Sequence, residues 1–262
     1  MGRPDVIYFK QGGAGMQKRG LSQEGLKLIA CISMLIDHIA AIIVLRFVQT
    51  ATGETQEILR EFYRFLRMMG RLAFPIYCFL LVEGAAHTHH PKGYCLRLLI
   101  AAVVAEIPFD LACFGDLTWK HQNVMITLLL GFLMLQLLQR LPVLPLKLMA
   151  VIPFALLAQG LHTDYGAKGI LVIALFALTR ELPYARAIQF VVLWQIFSPS
   201  HWMAFKWLHG ISVAIKELAV IAVVPIALYS GRKITNSKAV QWAFYLFYPV
   251  HLSVLYLIDK LC

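Results

Sequence analysis

Apolar runs of helical length, separated by short polar or proline-bearing turns, occupy most of the chain from Leu26 onward. A helix needs roughly 20 mostly apolar residues to cross the hydrocarbon of a bilayer. The first run extends from Leu26 to Val48, the second from Met68 to Ala86 and the third from Tyr94 to Cys113. Asn123 to Leu141 and Leu144 to Leu161 make the fourth and fifth. Gly169 to Thr179 and Ala187 to Phe197 are short for a span and read as tilted or half-membrane helices. An eighth run lies within Ile211 to Tyr229 and a ninth within Val240 to Leu261. Glu57 to Met69 is patterned differently: Ile58, Leu59, Phe62, Phe65 and Leu66 form one face, and Glu57, Arg60, Glu61, Arg64 and Arg67 the other. A helix of that kind lies in the membrane interface. The pattern predicts an all-α, polytopic transmembrane helix bundle of about nine spans (eight to ten), with an interfacial amphipathic helix after the first span.

Composition agrees. Of 262 residues, 60% are hydrophobic and only 15% charged, against about 25% charged in soluble domains. The formal net charge is +10, but the basic residues fall mostly in short loops and at helix ends, where they meet anionic headgroups and set topology. No basic stripe interleaved with aromatics occurs on a soluble face, which argues against nucleic acid as a partner. Residues 1–22 read as a polar, basic arm and residues 23–262 as one membrane-embedded domain. The arm lacks the apolar core of a signal peptide, and the N-terminus with its four basic residues is expected on the cytoplasmic side, although Arg60, Arg64 and Arg67 in the first loop pull the other way. The five cysteines show no CxxC spacing, so neither a zinc knuckle nor a disulfide framework is expected.

Function is sought in the ionisable groups inside apolar runs, which are costly there and usually face a polar cavity. They are Asp37, His38, Arg71, Glu83, Arg97, Glu106, Asp110, Glu217 and His251. Lys27 and His38 are eleven residues apart, close to three helical turns, so they share a face with a separation of roughly 16 Å along the axis. Cys31 and Met34 lie between them. An ammonium near the membrane boundary and an imidazole near mid-depth suit a long ligand with an anionic head and a reactive tail. Asp37 projects about 100° away from His38, so an acid that orients the imidazole is expected from another helix; packing between helices by Asp37 and His38 is the plainer alternative.

Other positions add to this picture. Pro75 leaves the Arg71 carbonyl without its helical donor, which predicts an opening of the helix beside the Arg71 guanidinium. Glu106 and Asp110 are one turn apart around Pro108, an arrangement suited either to proton transfer or to ion pairs with Arg71 or Arg97. Asn123 opens the fourth run. Asp164-Tyr165-Gly166-Ala167-Lys168-Gly169 is a turn into a helix N-terminus, a position that favours anions. Tyr245, Tyr248 and His251 recur every third residue around Pro249, as a cavity lining or as an interfacial aromatic belt. His87, His89 and His90 sit in a loop without an acid pair, and no metal site is expected.

The order of these motifs resembles the TraX family. Lys27, Asp37 and His38; Gly70-Arg71-Leu72-Ala73-Phe74-Pro75; Glu83-Gly84 and His87-Thr88; Tyr94 and Arg97-Leu98; Pro108-Phe109-Asp110; Asn123; Tyr165-Gly166; and Phe244-Tyr245 with Tyr248-Pro249 and His251-Leu252 carry the resemblance. It spans nearly the whole chain past residue 25. Lys27 followed by ten residues and His38 also resembles the basic-x10-His element of the wider integral-membrane acyltransferases. The resemblance implies a multi-pass protein of the bacterial inner (cytoplasmic) membrane. It implies an acyl-CoA-dependent N-acetyltransferase with acetyl-CoA as donor and an amine acceptor, such as the N-terminus of a pilin-like protein. In that reading His38 is the base or the acyl carrier. Asp37, Glu83, Glu106, Asp110 and His251 orient it or handle protons. Lys27, Arg71, Arg97, Asn123, Tyr165 and Tyr248 hold the donor and the developing charge. The alternative from the residues alone is a proton-coupled transporter or flippase that uses the buried carboxylates and histidines as a relay.

Overall fold

The computed structural model describes residues 20–197, 203–204, 212–213 and 218–261. The chain is a helical bundle, as the apolar pattern predicts. Ser22 starts α1 (Gln23–His38) by accepting the Gly25 N–H at 3.0 Å, which satisfies a donor that the helix itself leaves open. The path continues through a π-helical segment, Ile39–Val44, into α2 (Leu45–Thr50). Gln23–Thr50 is one run long and apolar enough to cross a membrane. The π segment begins at the residue after His38; single-turn widenings of this kind occur mostly at functional sites.

α3 (Gly53–Gly70) is the amphipathic helix, begun four residues before the expected start. Arg71 and Leu72 then form a turn, and α4 (Ala73–His87) begins a new helix. Pro75 therefore lies in the first turn of α4, where a missing N–H costs no hydrogen bond. The expected opening around Arg71 is a two-residue turn that interrupts the helix. The remaining helices are α5 (Pro91–Phe114), α6 (Val124–Leu138), α7 (Leu144–Gly160), α8 (Gly166–Thr179) and α9 (Ala185–Phe197). After them come α10 (Leu218–Ile221), α11 (Val223–Ala227) and α12 (Lys238–Leu261). The eighth expected run is, among the described residues, two short pieces, α10 and α11; Glu217 lies outside the described residues. A two-residue antiparallel pairing joins Met203–Ala204 to Ser212–Val213.

Among the described residues three helical runs meet the length and hydropathy of a membrane crossing: Gln23–Thr50, Gly53–His87 and Lys238–Leu261. α6 to α9 are apolar but shorter. α5 has 24 residues but carries Arg97, Glu106 and Asp110 within it. The outer faces confirm the setting. Leu96, Leu99, Ile100, Val103, Val104 and Ile107 form an exposed apolar stripe on α5, and α7 exposes Leu148, Met149, Ile152 and Leu156. Contiguous apolar surface on that scale is stable against lipid and not against water. This is a membrane protein.

Packing positions the interior. α5 runs between α6 and α12, α7 lies on α8, and α1 packs against α3 and α4. Small residues permit the closest approaches. The Ile173 side chain occupies the space a Cβ on Gly131 would need, and the Tyr94 hydroxyl lies 2.8 Å from where a Cβ on Gly84 would stand. At the end of α3 the Ser33 hydroxyl donates to the carbonyls of Met69 (2.7 Å) and Gly70 (3.1 Å), while Asp37 accepts from Arg67 at 2.6 Å. Asp37 also packs directly on Gly70, where any Cβ would collide with it. These contacts fix the start of α4 against the middle of α1.

Candidate functional site

A half-open cavity of about 160 Å³ lies between α1, α4, α5, α6, α12 and the α7–α8 turn. That is room for on the order of ten waters. Lys27 and His38 both line it, with Met34 between them, as their three-turn spacing requires. Cys31, on the same stripe, is buried beside the wall residue Tyr77, its Sγ 3.1 Å from the hydroxyl. The wall between the two ends is largely apolar, from Leu80, Leu81, Leu98, Met125 and Leu128.

The Lys27 end is held by the segment before α12. Leu21 exchanges backbone hydrogen bonds with Leu228 and Ser230, and the Gln23 N–H donates to the Arg232 carbonyl at 2.9 Å. The Glu24 carboxylate accepts from the Ile234 N–H at 2.9 Å. Lys27 itself lies over the Phe244 ring, 5.1 Å from the centroid, and Lys233 is close enough to act on it electrostatically. Gln23 and Gln241 complete this end. It is a cationic mouth rimmed by amides and an aromatic face.

At the other end His38 has a partner from α12. Its Nδ1 is 2.6 Å from His251 Nε2, and His251 Nδ1 is 2.6 Å from the Phe247 carbonyl. A carbonyl only accepts, so His251 Nδ1 carries the proton and its Nε2 is the acceptor. His38 Nδ1 must then donate, which leaves its Nε2 as the unprotonated nitrogen. One backbone carbonyl thereby sets the tautomers of two rings. Phe247 stacks on His251 with centroids 4.8 Å apart, and Tyr248, 6.0 Å from the His38 ring, lines the cavity next to it. The Tyr248 hydroxyl is near the Val124 backbone N–H at the start of α6.

The acids expected to orient His38 do other things. Glu83 lines a second cavity and not that of His38; its Oε1 accepts from Arg180 Nε at 2.8 Å, an ion pair that ties α4 to the end of α8. Glu106 accepts from the backbone N–H and the side-chain amide of Asn123, and Asp110 accepts from the Thr118 N–H at 3.0 Å. Neither lines the His38 cavity; with these bonds both hold the loop before α6, and each keeps its second oxygen buried without a partner. Asn123 caps α6 by accepting the Met125 N–H at 2.9 Å and donates to the Ala102 carbonyl, which removes it from the cavity as a donor. Arg97 packs over the Tyr94 ring at 5.5 Å and reaches Tyr245; it braces two wall residues and does not itself line the wall.

Asp37, Tyr165 and Tyr248 line the cavity with His38, together with one residue the site reading did not select, Asp164, while Arg71 reaches this group without lining the cavity itself. Asp37 lines the cavity with one oxygen on Arg67 and the other buried without a partner. Arg71 reaches the Tyr165 hydroxyl, and its Nε is also buried without a partner. Tyr165 stacks on Phe74 at 3.6 Å with the rings nearly parallel, and it holds a left-handed backbone, φ 66°, a strained conformation for a non-glycine residue. The turn that the sequence offers as an anion site presents the Asp164 carboxylate to the cavity. Its signal in the sequence was the Asp-Tyr-Gly turn, but nothing in that turn showed which cavity it would meet.

Comparison with known proteins places this architecture. A protein-family profile described as TraX protein matches residues 22–259. The chain is 31% identical over 256 residues to the probable fimbrial assembly protein FimC, serogroup H1, of Dichelobacter nodosus, with 88% of this chain and 92% of that protein covered. No solved structure matches. The matched region contains every helix that builds the cavity, from Lys27 on α1 to His251 on α12, and the chain belongs to the TraX family.

Proposed function

We propose that the protein is a membrane-embedded acetyltransferase that moves an acetyl group from acetyl-CoA to an amine acceptor, such as the N-terminus of a pilin-like protein, in the bacterial inner membrane. The observation that carries the proposal is the shared cavity: a cation at its mouth and, three turns deeper, a histidine whose Nε2 is left basic by the hydrogen bond of its Nδ1 to His251. The family and the fimbrial assembly name of the relative support a role connected with pilins. Lys27, with Lys233 beside it, offers charge to the phosphates of the donor, and the narrow apolar wall suits the pantetheine arm with its thioester at His38.

His38 Nε2 takes the proton of the acceptor amine as the nitrogen attacks the thioester carbonyl. The C–S bond then breaks, the amide forms, and the departing thiolate recovers that proton from the imidazolium. Tyr248, beside His38, donates to the oxygen on which charge develops. His251 supports the imidazolium by accepting its Nδ1 proton in a hydrogen bond, a role filled by a carboxylate in Ser-His-Asp triads.

The test is acetyl-CoA binding and labelled acetyl transfer by the purified protein, wild type against His38→Ala. The variant is expected to bind the donor and lose roughly 10²- to 10⁴-fold in transfer rate. A stable His38→Ala protein that transfers at the wild-type rate overturns the assignment.

A further inference from the structure

The end of the cavity opposite Lys27 carries two carboxylates with open valences. Asp37 uses Oδ2 on Arg67, and its Oδ1 is buried with no hydrogen-bond partner. Asp164 accepts from the N–H of the adjacent Tyr165 at 3.1 Å and forms no ion pair among the described residues. Both line the cavity that His38 lines. Acceptors left open on the wall of a half-open cavity are completed by water or by a donor that displaces it. Chemistry limits that donor. A group that brings several N–H donors to these two carboxylates, next to a base, fits that end of the cavity.

We infer that Asp164, with Asp37, holds the ammonium group of the acceptor beside His38, so that donor and acceptor occupy opposite ends of one cavity. This inference rests on the acyl-transfer reading and deepens it. Arg67 and Arg71 act on the same carboxylates, and two cations against two anions leave the cluster neutral overall. The ammonium is thus oriented by hydrogen bonds without a net field that would prevent it from losing one proton to water in the half-open cavity, which leaves the neutral amine that gives its next proton to His38 Nε2 as it attacks. Tyr165, fixed by its stack on Phe74 and by its left-handed backbone, keeps the Asp164 carboxylate turned to the cavity. The Asp164 carbonyl, held by the Thr127 hydroxyl, anchors the turn independently of the side chain, so the carboxylate is free for a ligand. Asp164 and Asp37 are positioning residues. The proton moves from the amine to His38 and not to either of them.

The experiment uses full-length protein in lipid nanodiscs with a short synthetic peptide bearing a free N-terminal amine, and the same peptide with that amine replaced by hydroxyl. Asp164→Asn keeps an acceptor for the Tyr165 N–H but removes the charge. The expected result is a KM for the amine peptide raised roughly 10- to 100-fold, an unchanged affinity for acetyl-CoA, and a reduced preference for amine over hydroxyl peptide. Asp164→Glu is expected to recover most of the loss. An active Asp164→Asn protein with the wild-type KM and the wild-type preference overturns the inference. If Asp164→Asn fails to fold, Asp164→Glu decides: a folded, donor-binding Glu protein that has lost amine preference equally overturns it. Wild-type protein that neither binds nor consumes acetyl-CoA refutes the acyl-transfer reading instead, through a measurement in which Asp164 takes no part.

Discussion

Replacing His251 by Phe tests the tautomer argument directly. The substitution keeps an aromatic ring in the stack between His38 and Phe247 and removes the acceptor that now faces His38 Nδ1 at 2.6 Å. A neutral hydrogen bond contributes about 0.5–1.5 kcal/mol net, a factor of roughly 2 to 10 in rate if it is made equally in the transition state. The imidazolium formed there makes the bond charge-assisted, about twice as strong. The ring is also released to present a protonated Nε2 for part of the time, which subtracts a further factor of a few. Together these give a kcat lowered about 10- to 100-fold. The loss must stay below that of His38→Ala, because general-base catalysis as a whole is worth roughly 10²- to 10⁴-fold. KM for acetyl-CoA is expected to hold, since Lys27 lies at the other end of the cavity. Single-turnover acetyl transfer, with donor affinity measured separately, gives both numbers. The double variant should be no slower than His38→Ala, as expected of residues that act as one unit. A His251→Phe protein within twofold of wild type, or a double variant whose loss is the product of the single losses, refutes the relay.

Lys27→Ala is expected to weaken acetyl-CoA binding roughly tenfold while leaving the affinity for acetyl-pantetheine, which lacks the nucleotide, unchanged; a calorimetric comparison of the two donors at low and high salt checks this, with the difference shrinking at high salt. Glu83→Gln should lower the melting temperature, by the equivalent of about 1–2 kcal/mol once the 31% exposure of Arg180 is allowed for, with no change in donor affinity, because Glu83 borders a different cavity. Gly70→Ala places a methyl against the root of the Asp37 side chain and should cost about 1–3 kcal/mol. Gly131→Ala meets only the far end of Ile173 and should cost less; thermal unfolding of the two variants in one detergent decides the order.

The helices were legible because each apolar run has to satisfy its own backbone in lipid, so hydrophobic length alone marks them. α6, α7, α8 and α9 start and end within a few residues of the expected runs. The Lys27–His38 pair was legible for a related reason: both residues lie on one helix, and a period of 3.6 carries their relative direction. What the sequence could not carry is anything that depends on two helices at once. Glu83, Glu106 and Asp110 stand out equally as acids in apolar runs, and no local pattern tells that Arg180 claims the first and the α6 loop the others. Arg180 and Gln189 closed around Glu83 without any motif to announce them.

His251 shows where the boundary falls. Its depth in an apolar run and the neighbouring Pro249 mark it as a group with a purpose, but its purpose is set by a residue 213 positions away and by one carbonyl of its own helix turn. The sequence offers several carboxylates and His251 as the orienting group, and carboxylates fill that role in soluble triads. In hydrocarbon the balance changes. An unpaired carboxylate beside a neutral imidazole is a net charge to be desolvated, whereas a second neutral ring backed by a carbonyl sets the same tautomer with no charge in the resting state. The charge then exists only while His38 carries the proton of the amine, and the stack of Phe247, His251 and His38 confines it to the end of the cavity that faces Asp37 and Asp164.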